Sequence, residues 1–195
     1  MKTILALALA TLLPFTAHAK SETFTVKPAD AKIKWEGKKV IGDSHTGELN
    51  LKSGKMMVDG GKLTGGEFVI DMTSLKNTDL TNEAMNKKLV GHLKSDDFFS
   101  IDKHPTSNLV INKVEKKEGD TYLLSGELTV KGQPAPITFP ATVHMDKKSV
   151  HTKADIAVNR TVYGVKYNSL KFFSTLGDKA IADEFTVSVD LTAKK

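Results

Sequence analysis

Between Gly65 and Phe99 the spacing of apolar residues changes once, and that change separates strand from helix. Phe68, Ile70 and Met72 alternate with Glu67, Val69 and Asp71, the two-residue period of a strand with one buried face. From Thr81 the period lengthens. Met85, Leu89, His92 and Leu93 fall at i, i+4, i+7 and i+8, which predicts one apolar stripe of a helix, with Thr81 or Asn82 as N-cap and Gly91 as its weak point. Ser95 is placed to cap one further short turn, bringing Phe98 and Phe99 beside the helix.

The rest of the pattern is alternation. Phe24 and Val26 begin a strand that Ile33, Trp35 and Gly37 continue beyond Pro28-Ala29-Asp30, and His45, Gly47, Leu49 and Leu51 make the next. Gly54 to Met72 holds two turn signals, Asp59-Gly60-Gly61 and Gly65-Gly66, so it reads as a small hairpin or one long bulged strand. Leu109 with Ile111, Tyr122 to Val130, Ile137 to Val143, Val150 to Val158 and Phe185 to Leu191 supply the remainder. The fold class is therefore all-β, about eight antiparallel strands at short intervals, either closing into a barrel or pairing as a sandwich. Closure removes the exposed edges. The lone amphipathic helix then reads as a lid inserted over the sheet.

One register follows from a turn. If Lys147-Lys148 is a two-residue turn, Met145 faces Val150, Val143 faces Thr152 and Ala141 faces Ala154, with His144 opposite His151 on the outer face. Two imidazoles without a third ligand read as an incidental pair, so no metal site is assigned. The residues expected inside are Trp35, Leu49, Phe68, Ile70, Met72, Tyr122, Leu124, Phe139, Phe185 and Val187, with Gly47 and Gly126 leaving room. A barrel of this size either fills itself with side chains or encloses one slender ligand. The helical lid favours the second.

Composition narrows the setting. Lys2, an apolar run from Ile4 to Phe15 and the small-x-small site Ala17-His18-Ala19 form a secretory signal over residues 1–19, leaving residues 20–195 as one domain. This places the protein in the periplasm or outside the cell, after cleavage near Ala19. The chain has no Cys, so it uses neither disulfides nor thiol chemistry, and the lipoprotein route is closed. The net charge of +5 is spread over turns and alternate strand positions as a solvated surface, which argues against a nucleic-acid partner and leaves a mild attraction to anionic membrane surfaces. No GxSxG elbow, HExxH or GxxxxGK[ST] is present, and nothing in the spacing supports an enzyme.

Several stretches carry a family resemblance: Ile33-Lys34-Trp35-Glu36-Gly37-Lys38-Lys39-Val40, His45-Thr46-Gly47, Gly66-Glu67-Phe68-Val69-Ile70-Asp71-Met72, Gly91-His92-Leu93-Lys94-Ser95-Asp96-Asp97-Phe98-Phe99, Gly126 to Gly132 and Asn159 to Tyr167. With these the chain resembles the YceI-like family, lipocalin-like lipid-binding proteins often exported by bacteria, some of them associated with polyisoprenoid binding. The resemblance implies an extended antiparallel barrel with a helix over it and a lipid inside. The expected function is an exported, non-enzymatic carrier of a long-chain amphiphile of isoprenoid, quinone or fatty acid or amide type. It needs no cofactor beyond such a bound lipid. The alternative is a secreted stress-response or interaction module with a filled barrel and no cargo.

For a carrier, the expected apolar lining is Trp35, Phe68, Ile70, Met72, Leu89, Leu93, Phe98, Phe99, Tyr122, Leu124 and Phe139. His45, His92, Arg160 and Tyr167 are the polar candidates at the mouth. Structural hydrogen bonding is the competing role for both histidines. A charge-paired network with Asp71 and Asp97 that braces the lid competes with phosphate contact for Arg160. The segment from Tyr163 to Leu176, with Phe172 and Phe173, is expected as a second flap. Transient membrane-surface contact is compatible with this reading, and so is a homodimer.

Overall fold

Strands joined by short antiparallel turns leave two open edges unless the last strand meets the first. Here it does. In the computed structural model, which describes residues 21–195, the strands are β1 (Glu22–Lys38), β2 (Ser44–Asp59), β3 (Lys62–Asn77), β4 (Thr106–Lys116), β5 (Thr121–Val130), β6 (Gln133–Met145), β7 (Ser149–Asn159) and β8 (Glu184–Lys194). They run in sequence order around one closed antiparallel barrel, β8 pairing with β1. The expected signal segment lies outside the described residues. The helix α1 (Glu83–Lys94) is inserted between β3 and β4.

Local chemistry explains where the ladder bends. Proline cannot donate to a ladder, and β1 shifts register against both neighbours around Pro28, between Val26 and Ile33 towards β2 and between Val26 and Ala31 towards β8. Of the two glycine signals, only Gly60-Gly61 is a turn. Both residues have positive φ, at 55° and 75°, and they join β2 to β3. Gly65-Gly66 lies inside β3. The expectation that Gly47 and Gly126 leave room in the interior is corrected. A Cβ on Gly126 would sit 1.9 Å from the Val110 carbonyl oxygen, and one on Gly47 would sit 1.9 Å from that of Lys76 and 2.5 Å from the Trp35 ring. Both glycines permit close approach within the wall and do not enlarge the cavity.

The β6–β7 register appears as expected from Thr142↔Lys153 to Met145↔Val150, including His144↔His151. It stops there. Ala141 and Ala154 are not paired, because the two strands part above Thr142 and Lys153. The cause is written in β6. Val143 donates its N–H towards β5, to Asp120 O (2.8 Å), so the even-numbered residues of β6 point their backbone groups at β7. Of the four such positions from 134 to 140, Pro134, Pro136 and Pro140 have no N–H to offer, and only Thr138 does.

The interior is filled at one end and hollow at the other. Phe24, Val26, Val58, Leu63, Tyr122, Val143, Val150 and Ala193, from the strand ends remote from α1, are buried in one cluster. Towards the other end a cavity opens, capped by α1 and the turn after it. A second, smaller cluster of Met72, Leu75 and Ile101 packs against Val90 and Leu93 and seats the helix.

Candidate ligand cavity

The cavity measures about 200 Å³ and its accessible wall is almost wholly apolar. Trp35 and Leu49 enter from β1 and β2, Phe68, Ile70 and Met72 from β3, Leu124 and Phe139 from β5 and β6, and Phe185 and Val187 from β8. Leu93, Phe98 and Phe99 close it from the α1 side, while Lys38, Ile181, Ala182 and Glu184 stand at the opposite lip. Trp35 is fixed in its place: its Nε1–H donates to Lys76 O (3.2 Å), across the space that Gly47 leaves free. Thus nine of the expected lining residues, Trp35, Phe68, Ile70, Met72, Leu93, Phe98, Phe99, Leu124 and Phe139, do line it.

Two do not. Tyr122 is buried in the filled end, because it stands at the start of β5, one residue beyond the turn. Leu89 is half-buried on the helix flank but does not reach the cavity. The expected stripe holds at Leu93 and fails at its first turn. Met85 is 58% exposed, and the inward face runs through Asn86, Val90 and Leu93. A polar side chain sets this phase: Asn86 Nδ2 donates to the carbonyls of Asn77 and Leu80 and to Asn77 Oδ1, anchoring the first turn to the end of β3. The helix begins at Asn82, whose Oδ1 accepts from the Met85 N–H (3.0 Å).

Of the four polar candidates, the side chains of His45, His92 and Arg160 bond internally. His45 Nδ1 lies 2.8 Å from Asp79 Oδ2, and Asp79 also accepts from the Thr46 N–H and from Asn77. Partial burial disfavours the charged carboxylate, yet the hydrogen bonds from His45, Thr46 and Asn77 outweigh it and hold Asp79 below the usual carboxylate range. This cluster fixes the chain that leads into α1. His92 packs edge-on against Phe98 (5.0 Å between ring centroids) and Tyr167 (4.6 Å), with Asp97 Oδ2 at 3.3 Å from its Nε2. It therefore joins the turn after the helix to the segment carrying Tyr167. Neither histidine nor Tyr167 lines the cavity.

Arg160 does line it, but four of its five donors are committed. The residue is 3% exposed. Nε donates to Ala182 O (2.9 Å), Nη1 to Val165 O (3.0 Å) and Tyr167 O (2.8 Å), and Nη2 to Ile181 O (3.0 Å), with Asp183 Oδ1 at 3.6 Å. Burial disfavours its charge while Asp183 favours it, and the net effect lowers its pKa. The expected single network of Asp71, Asp97 and Arg160 is absent. Asp71 caps its own turn through Thr73, and Asp97 meets His92.

The remaining histidine pair also has separate partners. The His144 and His151 rings stack 6.3 Å apart, each bound to its own carboxylate, Asp120 and Asp190, both at 2.8 Å. Around the lip, Ile41, Leu170, Phe172 and Phe173 are exposed. Sequence reasoning missed Ile33, Leu51, Met56, Ile137 and Ile156 as cavity residues. Their alternation in strands carried that signal.

A model of the YceI-like domain matches residues 24–193. The chain belongs to the YceI-like family. Among curated relatives it is 28% identical to a UPF0312 protein of Shewanella denitrificans over 67% of this chain and 65% of that one. It is 30% identical to a UPF0312 protein of Vibrio campbellii over 69% of each. The fold matches Burkholderia cenocepacia BcnA with a TM-score of 0.67 at 21% identity, covering 87% of this chain and 99% of that one. A polyisoprenoid binding domain from Saccharophagus degradans, implicated in plant cell wall breakdown, matches with a TM-score of 0.63 at 12% identity, over 88% and 97%. At these identities the structural matches speak for the fold, and the YceI-like barrel with α1 inserted between β3 and β4 is that fold.

Proposed function

We propose that this YceI-like protein binds a long-chain amphiphile, of isoprenoid, quinone or fatty acid or amide type, and holds it away from water without catalysis. The observation that carries the reading is the cavity itself, hollow and apolar beneath α1 where a filled barrel has none. Its relation in fold to a polyisoprenoid binding domain supports the same ligand class. Burial contributes roughly 0.8 kcal/mol per CH₂, so a dozen carbons offer on the order of 10 kcal/mol before ordering costs. The tail occupies the barrel and the polar head stays at the lip, among Lys38, Ile181 and Glu184. Because four of its five donors are held by backbone carbonyls and the fifth lies on the Asp183 side, Arg160 is assigned to bracing and not to the head group.

Export through the residue 1–19 signal and work in the periplasm or outside the cell complete the proposal. Among the described residues no helix is long and apolar enough to cross a membrane. Loading calls for transient contact with a lipid surface, and the exposed rings of Phe173 and of Phe172, the latter beneath Lys166 and Lys171, suit an anionic one.

The test is native mass spectrometry with lipid extraction on protein purified from its own host, followed by uptake of a polyprenyl probe. Co-purified lipid and uptake are expected, and Phe98→Asp, which puts a charge at the cavity's cap, should lose uptake while keeping the β-sheet spectrum. Absence of both lipid and uptake in the unsubstituted protein would overturn the reading.

A further inference from the structure

The parted seam between β6 and β7 does not lie over the filled end of the barrel. It opens at the boundary between filled and hollow halves. A surface groove there has Pro140, Thr142, Lys153 and Asp155 at its exposed rim, and Ala141, Ala154 and Val189 at its base. Ala154 and Val189 also line the main cavity. Two small side chains and one valine are thus what stands between groove and cavity, at the level where the packed cluster of Val143, Val150 and Phe24 would stop a chain descending the barrel.

The backbone keeps this place open. Lys153 is the last β7 residue paired to β6, and the alternation that bonds Lys153 to Thr142 points the N–H groups of Asp155 and Ala157 at the same seam, with no strand pairing opposite. On the facing edge, proline at 134, 136 and 140 withholds three of the four donors that would zip the seam shut. Higher up, the short 3₁₀ turn Arg160–Tyr163 lies at the end of β7 with Tyr163 buried in the core cluster, so the opening is confined to the middle of the wall.

We propose that this seam is a lateral window of the cavity, through which the far end of a bound chain leaves the barrel, so that the protein accepts chains longer than its hollow half. The inference rests on the carrier reading and narrows its ligand class to long, unbranched or isoprenoid tails. It also makes the wall, and not the mouth, the element that sets the upper limit of chain length.

Two measurements test it. Amide hydrogen exchange of the lipid-free protein should show Asp155 and Ala157 exchanging fast and Lys153 protected; equal protection at all three would mean a closed wall and overturn the proposal. Ala141→Leu, at the groove base and outside the lining of the main cavity, plugs the window. Across polyprenols of increasing isoprene number, this variant should lose at least about tenfold in affinity for the longest and change little for the shortest. An unchanged length profile would overturn the proposal while leaving the carrier reading intact. Should the unsubstituted protein bind no polyprenol of any length, the carrier reading fails and the window's role falls with it, whatever the exchange shows.

Discussion

Replacing Arg160 by Met separates a brace from an anchor. The guanidinium makes four hydrogen bonds, to the carbonyls of Val165, Tyr167, Ile181 and Ala182, and so ties both limbs of the segment between β7 and β8 to the end of β7. Methionine fills similar volume and donates nothing. Removing one side of a buried charged constellation costs about 3–5 kcal/mol, since the partners left behind stay desolvated. For a domain of this size each kcal/mol shifts the melting temperature by ~2–4 °C, which gives a fall of roughly 6–20 °C. Urea denaturation with two-state analysis reads the loss, and amide exchange at Ile181, whose N–H bonds Asn168 O (2.8 Å), reads whether the segment has come loose. Arg160→Lys keeps the charge without the planar fork and should fall between. A stability change under about 1 kcal/mol with Ile181 still protected would refute this account. Weakened lipid binding in an otherwise unperturbed fold would instead make Arg160 a head-group contact.

Two further outcomes follow from the mouth. Asp79 is held below its ordinary pKa in the folded state, so its contribution is complete above the unfolded value of about 3.9 and is lost as pH falls through the folded value; thermal stability of Asp79→Asn should therefore decline less steeply than that of the unsubstituted protein as pH drops below about 4, and parallel acid profiles would contradict the assignment. Phe172→Asp with Phe173→Asp should abolish flotation with vesicles containing phosphatidylglycerol, and raised salt should weaken binding of the unsubstituted protein; flotation indifferent to both would show that this rim is not the membrane contact.

How far the sequence alone reached depends on the range of the interaction behind each feature. Alternation is local, set by a backbone whose successive side chains point to opposite faces, and eight strands were legible from it together with the lone helix between β3 and β4. So was the β6–β7 register near Lys147-Lys148, where a short turn fixes what faces what. The apolar lining followed wherever a residue sat mid-strand on the inner face, as Trp35, Phe68, Leu124 and Phe139 do. It failed where a distant partner decided the outcome. Asn86 turned the helix by bonding to Asn77, so that Met85 faced water and Leu89 missed the cavity. Tyr122 has the right parity for the lining, yet only the closed barrel assigns its level to the filled end. The sequence offers His45, His92 and Arg160 as polar residues for the mouth, but the carboxylates, rings and carbonyls that occupy them come from 5 to 75 positions away in the chain. The seam shows both sides at once: the prolines of β6 stand in the sequence, while only closure of the sheet places the gap they leave beside an empty interior.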